Sequence, residues 1–273
     1  MNNTLHFHEL RIIAIAGAIV CAASFCHASS IAVPSSSVGT ITAAMMNAQA
    51  GDTVLVGNGV YSEQVLIKSG VTLKARSPLK AIIKGNGKGC LVTLGGSSTL
   101  CGFELRSGAI GVSSKTADNA ILFCRITSMT ETGISCAGQL PKIMNNVIVF
   151  NKGSGIQGWD VRCTFSSINH NTIAYNSNNG IAMGGHSTVI IENNIVAFNE
   201  RFGLKINEET VTAQLVKNVF FGNSTMSYIK LDGNFTGNPM FVDPKTLNFQ
   251  LQAASQCKQK AADNLDIGAL EDY

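Results

Sequence analysis

The sequence predicts an all-β fold: a right-handed parallel β-helix with three strands per coil of about 23 residues and an N-terminal helical cap. Three observations predict it: an asparagine-framed repeat, a Gly-Ile pair on the same beat, and a closing strand in each copy. The pattern N-x-[I/V/F]-x-x-N reads Asn146-Val147-Ile148-Val149-Phe150-Asn151 and returns at 171–176, 194–199 and 218–223. Weaker copies begin at Cys124 and Cys101, so successive starts lie 23, 22, 25, 23 and 24 residues apart. Gly133-Ile134, Gly155-Ile156, Gly180-Ile181 and Gly203-Leu204 each fall nine residues after the start of their copy. The closing strands read 187–192 and 212–217.

Such strands are too short and too polar to fold alone. Stacking one copy on the next pairs each strand with its equivalent at about 4.8 Å. Ile148, Ile173, Val196 and Phe220 are then expected to form an inward apolar stack, and Phe150, Tyr175 and Phe198 a second. Asn151, Asn176, Asn199 and Asn223 are expected at the left-handed position of a turn, with amides bonding from coil to coil. A leucine-rich repeat would need a leucine consensus that is absent. A left-handed hexapeptide helix would need a period near six.

The ends need caps. Residues 39–50 read as a short amphipathic helix, with Ile41, Ala44, Met45 and Ala48 on one face and Gly51 as its stop. Strands follow at 54–56, 65–67 and 71–73. After Asn223 the beat fades, and Pro239, Asp243-Pro244 and Asn248 suggest irregular cover over the last coil. The expected division is a signal peptide at 1–28 and a single domain at 29–273. Within that domain, 29–75 form the cap and first coils, 76–223 the repeat coils and 224–273 the C-terminal cover.

The signal reading rests on Arg11, a 12-residue apolar run at 12–23, and the small-residue site Cys26-His27-Ala28. It implies a secreted protein, extracellular or periplasmic, with no membrane association after cleavage, since no later run is long enough to span a bilayer. Six cysteines would remain: Cys90, Cys101, Cys124, Cys136, Cys163 and Cys257. They suit either disulfides or small buried core positions, and no CxxC pair points to zinc. With 17 acidic against 20 basic residues and no basic block, the composition excludes a nucleic-acid partner.

The stretches Thr40-Ile41-Thr42-Ala43-Ala44, Gly51-Asp52-Thr53-Val54-Leu55-Val56 and Ser69-Gly70-Val71-Thr72-Leu73 resemble the entry to pectate-lyase-like β-helix proteins. Asn238-Pro239-Met240-Phe241-Val242-Asp243 and Asp266-Ile267-Gly268-Ala269-Leu270-Glu271 resemble the tail of the same group. The resemblance implies a polysaccharide substrate or ligand, held along a groove on one stacked sheet. It also implies a lyase or epimerase that removes the C5 proton of a uronic acid. In that chemistry Ca²⁺ held by an aspartate cluster neutralises the sugar carboxylate, and a lysine or arginine is the base.

Between residues 101 and 223 the only aspartates are Asp118 and Asp160, and they are not one coil apart. A Ca²⁺ cluster is therefore not evident, no metal ligand is assigned and no cofactor is expected. The paired carboxylates of a glycoside hydrolase are missing as well. The remaining cluster surrounds the Gly-Ile strand. Lys205 and Arg201 are the catalytic candidates, Lys205 as base. Trp159, the only tryptophan, is a candidate stacking platform; Arg162 and His186 complete the substrate-binding set. Each has a plainer alternative: a solvated lysine, surface arginines paired with Glu200 or Asp160, a tryptophan covering the core, a turn histidine.

The outward positions of the asparagine-framed strand, among them Val147, Val149, Ile195 and Phe221, are apolar. A loop, the C-terminal tail or another protein could cover them. The functional expectation is a secreted polysaccharide-associated protein of lyase or epimerase type. The alternative is a non-catalytic glycan-binding or surface β-helix protein.

Overall fold

Register between equivalent strands carries the fold. The computed structural model describes residues 28–34, 38–162, 164–206, 209–227 and 232–270. The expected signal segment up to His27 lies outside the described residues, as does Cys163. The strands of successive coils stack into three parallel sheets of nine, eight and eight strands, here called sheets I, II and III. Sheet I runs from Ser30–Val33 to Val211–Val216, sheet II from Gly59–Tyr61 to Val219–Phe221, and sheet III from Val65–Ile67 to Thr225–Ser227. One coil passes through Lys142–Met144 in sheet I, Val147–Val149 in sheet II and Ile156–Val161 in sheet III.

Side chains alternate about each strand, so one column per sheet fills the interior. In sheet II, Leu105, Ile126, Ile148, Ile173, Val196 and Phe220 stand in unbroken register and are fully buried. The earliest copy of the repeat therefore aligns Phe103, not Cys101, with Cys124. The Gly-Ile marker has a steric cause. A Cβ on Gly155 would lie 2.5 Å from Ile173 Cγ2 and 2.8 Å from the Gly180 carbonyl oxygen. The corner can turn this sharply only with hydrogen at that position.

Asparagines bracket sheet II at both corners. Asn151 Nδ2 donates to Asn176 Oδ1 at 2.9 Å, Asn176 to Asn199 at 2.9 Å, and Asn199 to Asn223 at 2.9 Å. A second ladder joins Asn146, Asn171, Asn194 and Asn218 at 3.0, 3.0 and 2.9 Å. Each Oδ1 also accepts a backbone N–H from the preceding coil, and each Nδ2 donates to a backbone carbonyl there. The expected coil-to-coil amide bonding is present. The left-handed residues, however, are the neighbours just before the asparagines: Phe150, Tyr175 and Phe198 at one corner, Asn145, His170 and Asn193 at the other. Burial of the asparagines is what reverses the expectation, since their amides must reach the interior ladder.

That reversal also moves the aromatic rings. Phe150, Tyr175 and Phe198 point outward and stack face to face, with centroids 5.2 and 4.9 Å apart. They belong to a second apolar cluster outside sheet II, separate from the interior. Phe241, Phe249, Cys257, Ala261 and Ile267 of the C-terminal segment close over it, burying Val147, Val149, Ala174, Ile195, Ala197 and Val219. The C-terminal cover thus lies along the flank of sheet II. The chain's own tail is what covers the apolar face.

Polar groups hold that tail down. His170 is 3% exposed, with Nε2 2.9 Å from Asp263 Oδ2 and Nδ1 3.2 Å from the Gly268 carbonyl oxygen. Ala262 N–H donates to Asn193 Oδ1 at 2.8 Å, and Ala269 N–H to Thr172 Oγ1 at 3.1 Å. Burial pushes the Asp263 carboxyl up. The His170 hydrogen bond, the Leu265 amide and the His170 charge outweigh it, leaving the carboxyl below its ordinary value.

The N-terminal helix is Ile41–Asn47, with Ile41, Ala44 and Met45 buried. It ends before Gly51, because Ala48 is already extended. Thr40 caps it by accepting the Ala43 N–H. Glu63 reaches across to accept the Ile41 and Thr42 N–H groups at 3.0 and 2.9 Å. Both satisfy donors that a helix leaves open at its first turn.

Asn176→Leu leaves ladder donors and acceptors unpaired on both neighbouring coils. It is expected to cost about 3 kcal/mol, read as a lower urea midpoint. The tail has a pH signature. A carboxyl whose folded-state value is depressed contributes stability above its unfolded value of about 4, lost as pH falls through the folded value. Hydrogen exchange of residues 257–270 is therefore expected to accelerate as pH drops below about 4. In Asp263→Asn that acid step is expected to flatten.

Candidate functional site

The outer face of sheet III is where the chemistry-bearing residues gather. Ser135, Gln157, Ala182 and Lys205 form one outward column across four coils, in direct register. The turns leading into those strands add Glu131, Gly153, Asn178 and Arg201 as a parallel wall, with Lys152 beside it. Between wall and sheet runs an open groove of about 610 Å³. It follows the solenoid axis, because both its lining columns are made by equivalent positions of successive coils.

Trp159 stands two residues past Gln157 on the same outward side of the strand, in register with Ala137, and a local irregularity adjoins it. The pairing of Ile156–Val161 with Ile181–Gly185 shifts register between Gly158 and Val161. Asp160 takes a φ of 45°, and Trp159 is 62% exposed at the groove's edge. Gly185, at φ +114°, makes the bulge possible, since a Cβ there would fall 2.3 Å from the Val161 nitrogen. The ring is exposed and does not cover the core.

Lys205 is exposed, its ammonium 6.0 Å from the Phe202 ring centroid. Lys205, Arg201 and Trp159 line the same groove. Arg162 and His186 do not. Arg162 forms an exposed two-point contact with Asp160, at 3.2 and 3.3 Å. His186 is exposed in the turn that enters sheet I, with its backbone N–H on the Val161 carbonyl. Among the described lining residues the charges are the cations Lys152, Arg201 and Lys205 and the carboxylate Glu131. Lys152 and Asn178 were not singled out from the repeat. The signal was available: aligning the residues just after each closing asparagine places Lys152, Ser177 and Glu200 in one column and Gly153, Asn178 and Arg201 in the next.

Among the described residues no three histidine, cysteine, aspartate or glutamate side chains converge as a metal site. Asp118 sits in the turn between sheets III and I, held down to about 2 chiefly by the hydroxyls of Ser97 and Thr116. Burial pushes the Cys124 thiol up to about 12 and raises Cys90, Cys101 and Cys257 as well, which suits core positions and not nucleophiles. Cys136 is buried also. The stacked aromatic rings beside sheet II are no sugar platform: stacked on one another, they offer their edges to solvent.

This architecture agrees with the comparisons to known proteins. Residues 89–239, more than half of the chain, match the model of the right handed beta helix region family. The chain belongs to that family. Among solved structures it is similar to the pectate lyase Pel9A at 14% identity and a TM-score of 0.62, covering 90% of this chain and 96% of that one. It also aligns with a mannuronic acid specific polysaccharide family 6 lyase from human gut microbiota. There the identity is 15% and the TM-score 0.49, over 71% of this chain and 54% of the lyase, so the chain spans about half of that enzyme's length. No curated protein sequence matches it.

The single tryptophan makes the groove directly observable. Native Trp159 fluorescence is expected to be red-shifted and readily quenched by acrylamide, as for an indole in water. A blue-shifted, protected emission would place the ring in the core.

Proposed function

We propose that this protein acts on an extended polysaccharide laid along the sheet III groove. The observation that carries the reading is the convergence of Trp159, Arg201 and Lys205 on one axial groove. A flat indole at the edge suits the apolar face of a pyranose ring, and the cations suit an acidic glycan. The apolar run at 12–23 supports export to where such polymers are found. The fold likeness to a pectate lyase supports the same class without naming the reaction.

Within that class we assign β-elimination, with Lys205 as the base. Lys205 Nζ takes the C5 proton of a uronic acid. The electron pair forms the C4–C5 double bond, the C4–O bond to the next sugar breaks, and the departing oxygen takes a proton from water. Arg201 stands one coil from Asn178 and pairs with the sugar carboxylate, drawing charge away from C5.

The test is ultraviolet absorbance of the unsaturated product, with polygalacturonate and alginate as polymers and with and without added Ca²⁺. Wild-type protein is expected to generate signal on one of them. Lys205→Ala is expected to slow it by about 100-fold or more while retaining binding. Trp159→Ala is expected to weaken binding by about tenfold. Binding without absorbance change would refute elimination and leave a non-catalytic glycan-binding protein.

A further inference from the structure

Ala182 is the low point of the groove's outward column. It lies between Gln157 on one neighbouring coil and Lys205 on the other, and it is 5% exposed. Adjacent coils are about 4.8 Å apart, so the two flanking side chains stand about 10 Å from each other, room for one pyranose ring. Asn178 forms the wall on the same coil, and Trp159 stands at the edge.

Two amides of this recess have unused hydrogen-bonding capacity. The Asn178 Oδ1 atom is buried and has no hydrogen-bond partner among the described residues. Gln157 Oε1 accepts from Ser154 Oγ at 3.3 Å, and Ser154 Oγ accepts from Asn179 Nδ2 at 3.4 Å. That chain fixes the Gln157 amide with its NH₂ group left to donate. An unpaired buried acceptor is costly, and a ligand hydroxyl would remove that cost.

We propose that the Ala182 recess is a sugar-ring subsite that reads hydroxyl groups. Asn178 accepts from one ring hydroxyl, and Gln157 donates to another. The inference rests on the groove reading above and adds its specificity: the ring over Ala182 is recognised through neutral amides, while Lys205 and Arg201 lie one coil further along. A site built this way discriminates strongly against a ring lacking the hydroxyl, because its own polar group is then left unpaired.

Asn178→Leu tests it, with two readouts expected to move in opposite senses. Removing an unpaired buried oxygen is expected to raise the Tm, while affinity for the probe falls about tenfold. The probes are tetragalacturonate, tetramannuronate and cellotetraose, titrated calorimetrically against wild type, Asn178→Leu, Gln157→Leu, Trp159→Ala and Lys205→Ala. Gln157→Leu is expected to lose affinity likewise. If Trp159→Ala and Lys205→Ala lose affinity and Asn178→Leu does not, the subsite is refuted and the groove stands. If no probe binds wild type, or Trp159→Ala and Lys205→Ala leave affinity unchanged, the groove reading falls and the subsite with it. A lower Tm for Asn178→Leu would mean that the oxygen is already satisfied, which also overturns the proposal.

Discussion

Everything in this molecule depends on holding each coil in register with the next, and two buried asparagine ladders impose that register. A strand of three residues specifies its partner weakly, since few side chains distinguish one alignment from another. An amide buried at each corner changes this. Its oxygen must meet an N–H of the neighbouring coil and its nitrogen a carbonyl there, or both are stranded in the interior. A slip of one residue would break every rung. The ladders begin at Cys124 and Met129, whose backbone N–H groups donate to Asn146 and Asn151. The earlier coils rely on apolar columns in their place.

Register in turn makes a functional surface possible. Equivalent positions of successive coils line up, so side chains far apart in sequence become neighbours. Gln157, Ala182 and Lys205 are such a column, and Glu131, Gly153, Asn178 and Arg201 line the wall beside it. A groove along the axis follows from repetition alone. What individualises it is departure from repetition: the single indole of Trp159 beside the bulge at Asp160, and the small side chain at Ala182.

Sheet II shows the opposite use of the same regularity. Its outward columns are apolar where the tail lies, and charged on earlier coils, where Glu104 meets Arg106 and Arg125 at 3.2 and 3.4 Å. The tail therefore seals one flank, through the Phe241–Phe249 cluster and the His170–Asp263 contact, while sheet III keeps its outer face open.

Much of this was legible in the sequence because the repeat is written in residues with strict backbone or burial demands. Asn146, Asn171, Asn194 and Asn218 announce the period, and Gly133, Gly155 and Gly180 mark the tight corner. These determine the coil, the three strands and the inward column. Tertiary structure decided what depends on contacts between distant segments. It placed the left-handed turn on Phe150, Tyr175 and Phe198 because the asparagines beside them are taken up by the ladder. It covered sheet II with residues about 50–100 positions downstream, a pairing that no local pattern encodes. It placed Arg162 and His186 outside the groove, Arg162 paired with Asp160 and His186 in the turn that enters sheet I, because both follow the ends of their sheet III strands. Period and polarity are local properties and can be read along a chain; which surface is sealed and which stays open is settled only when the chain folds back on itself.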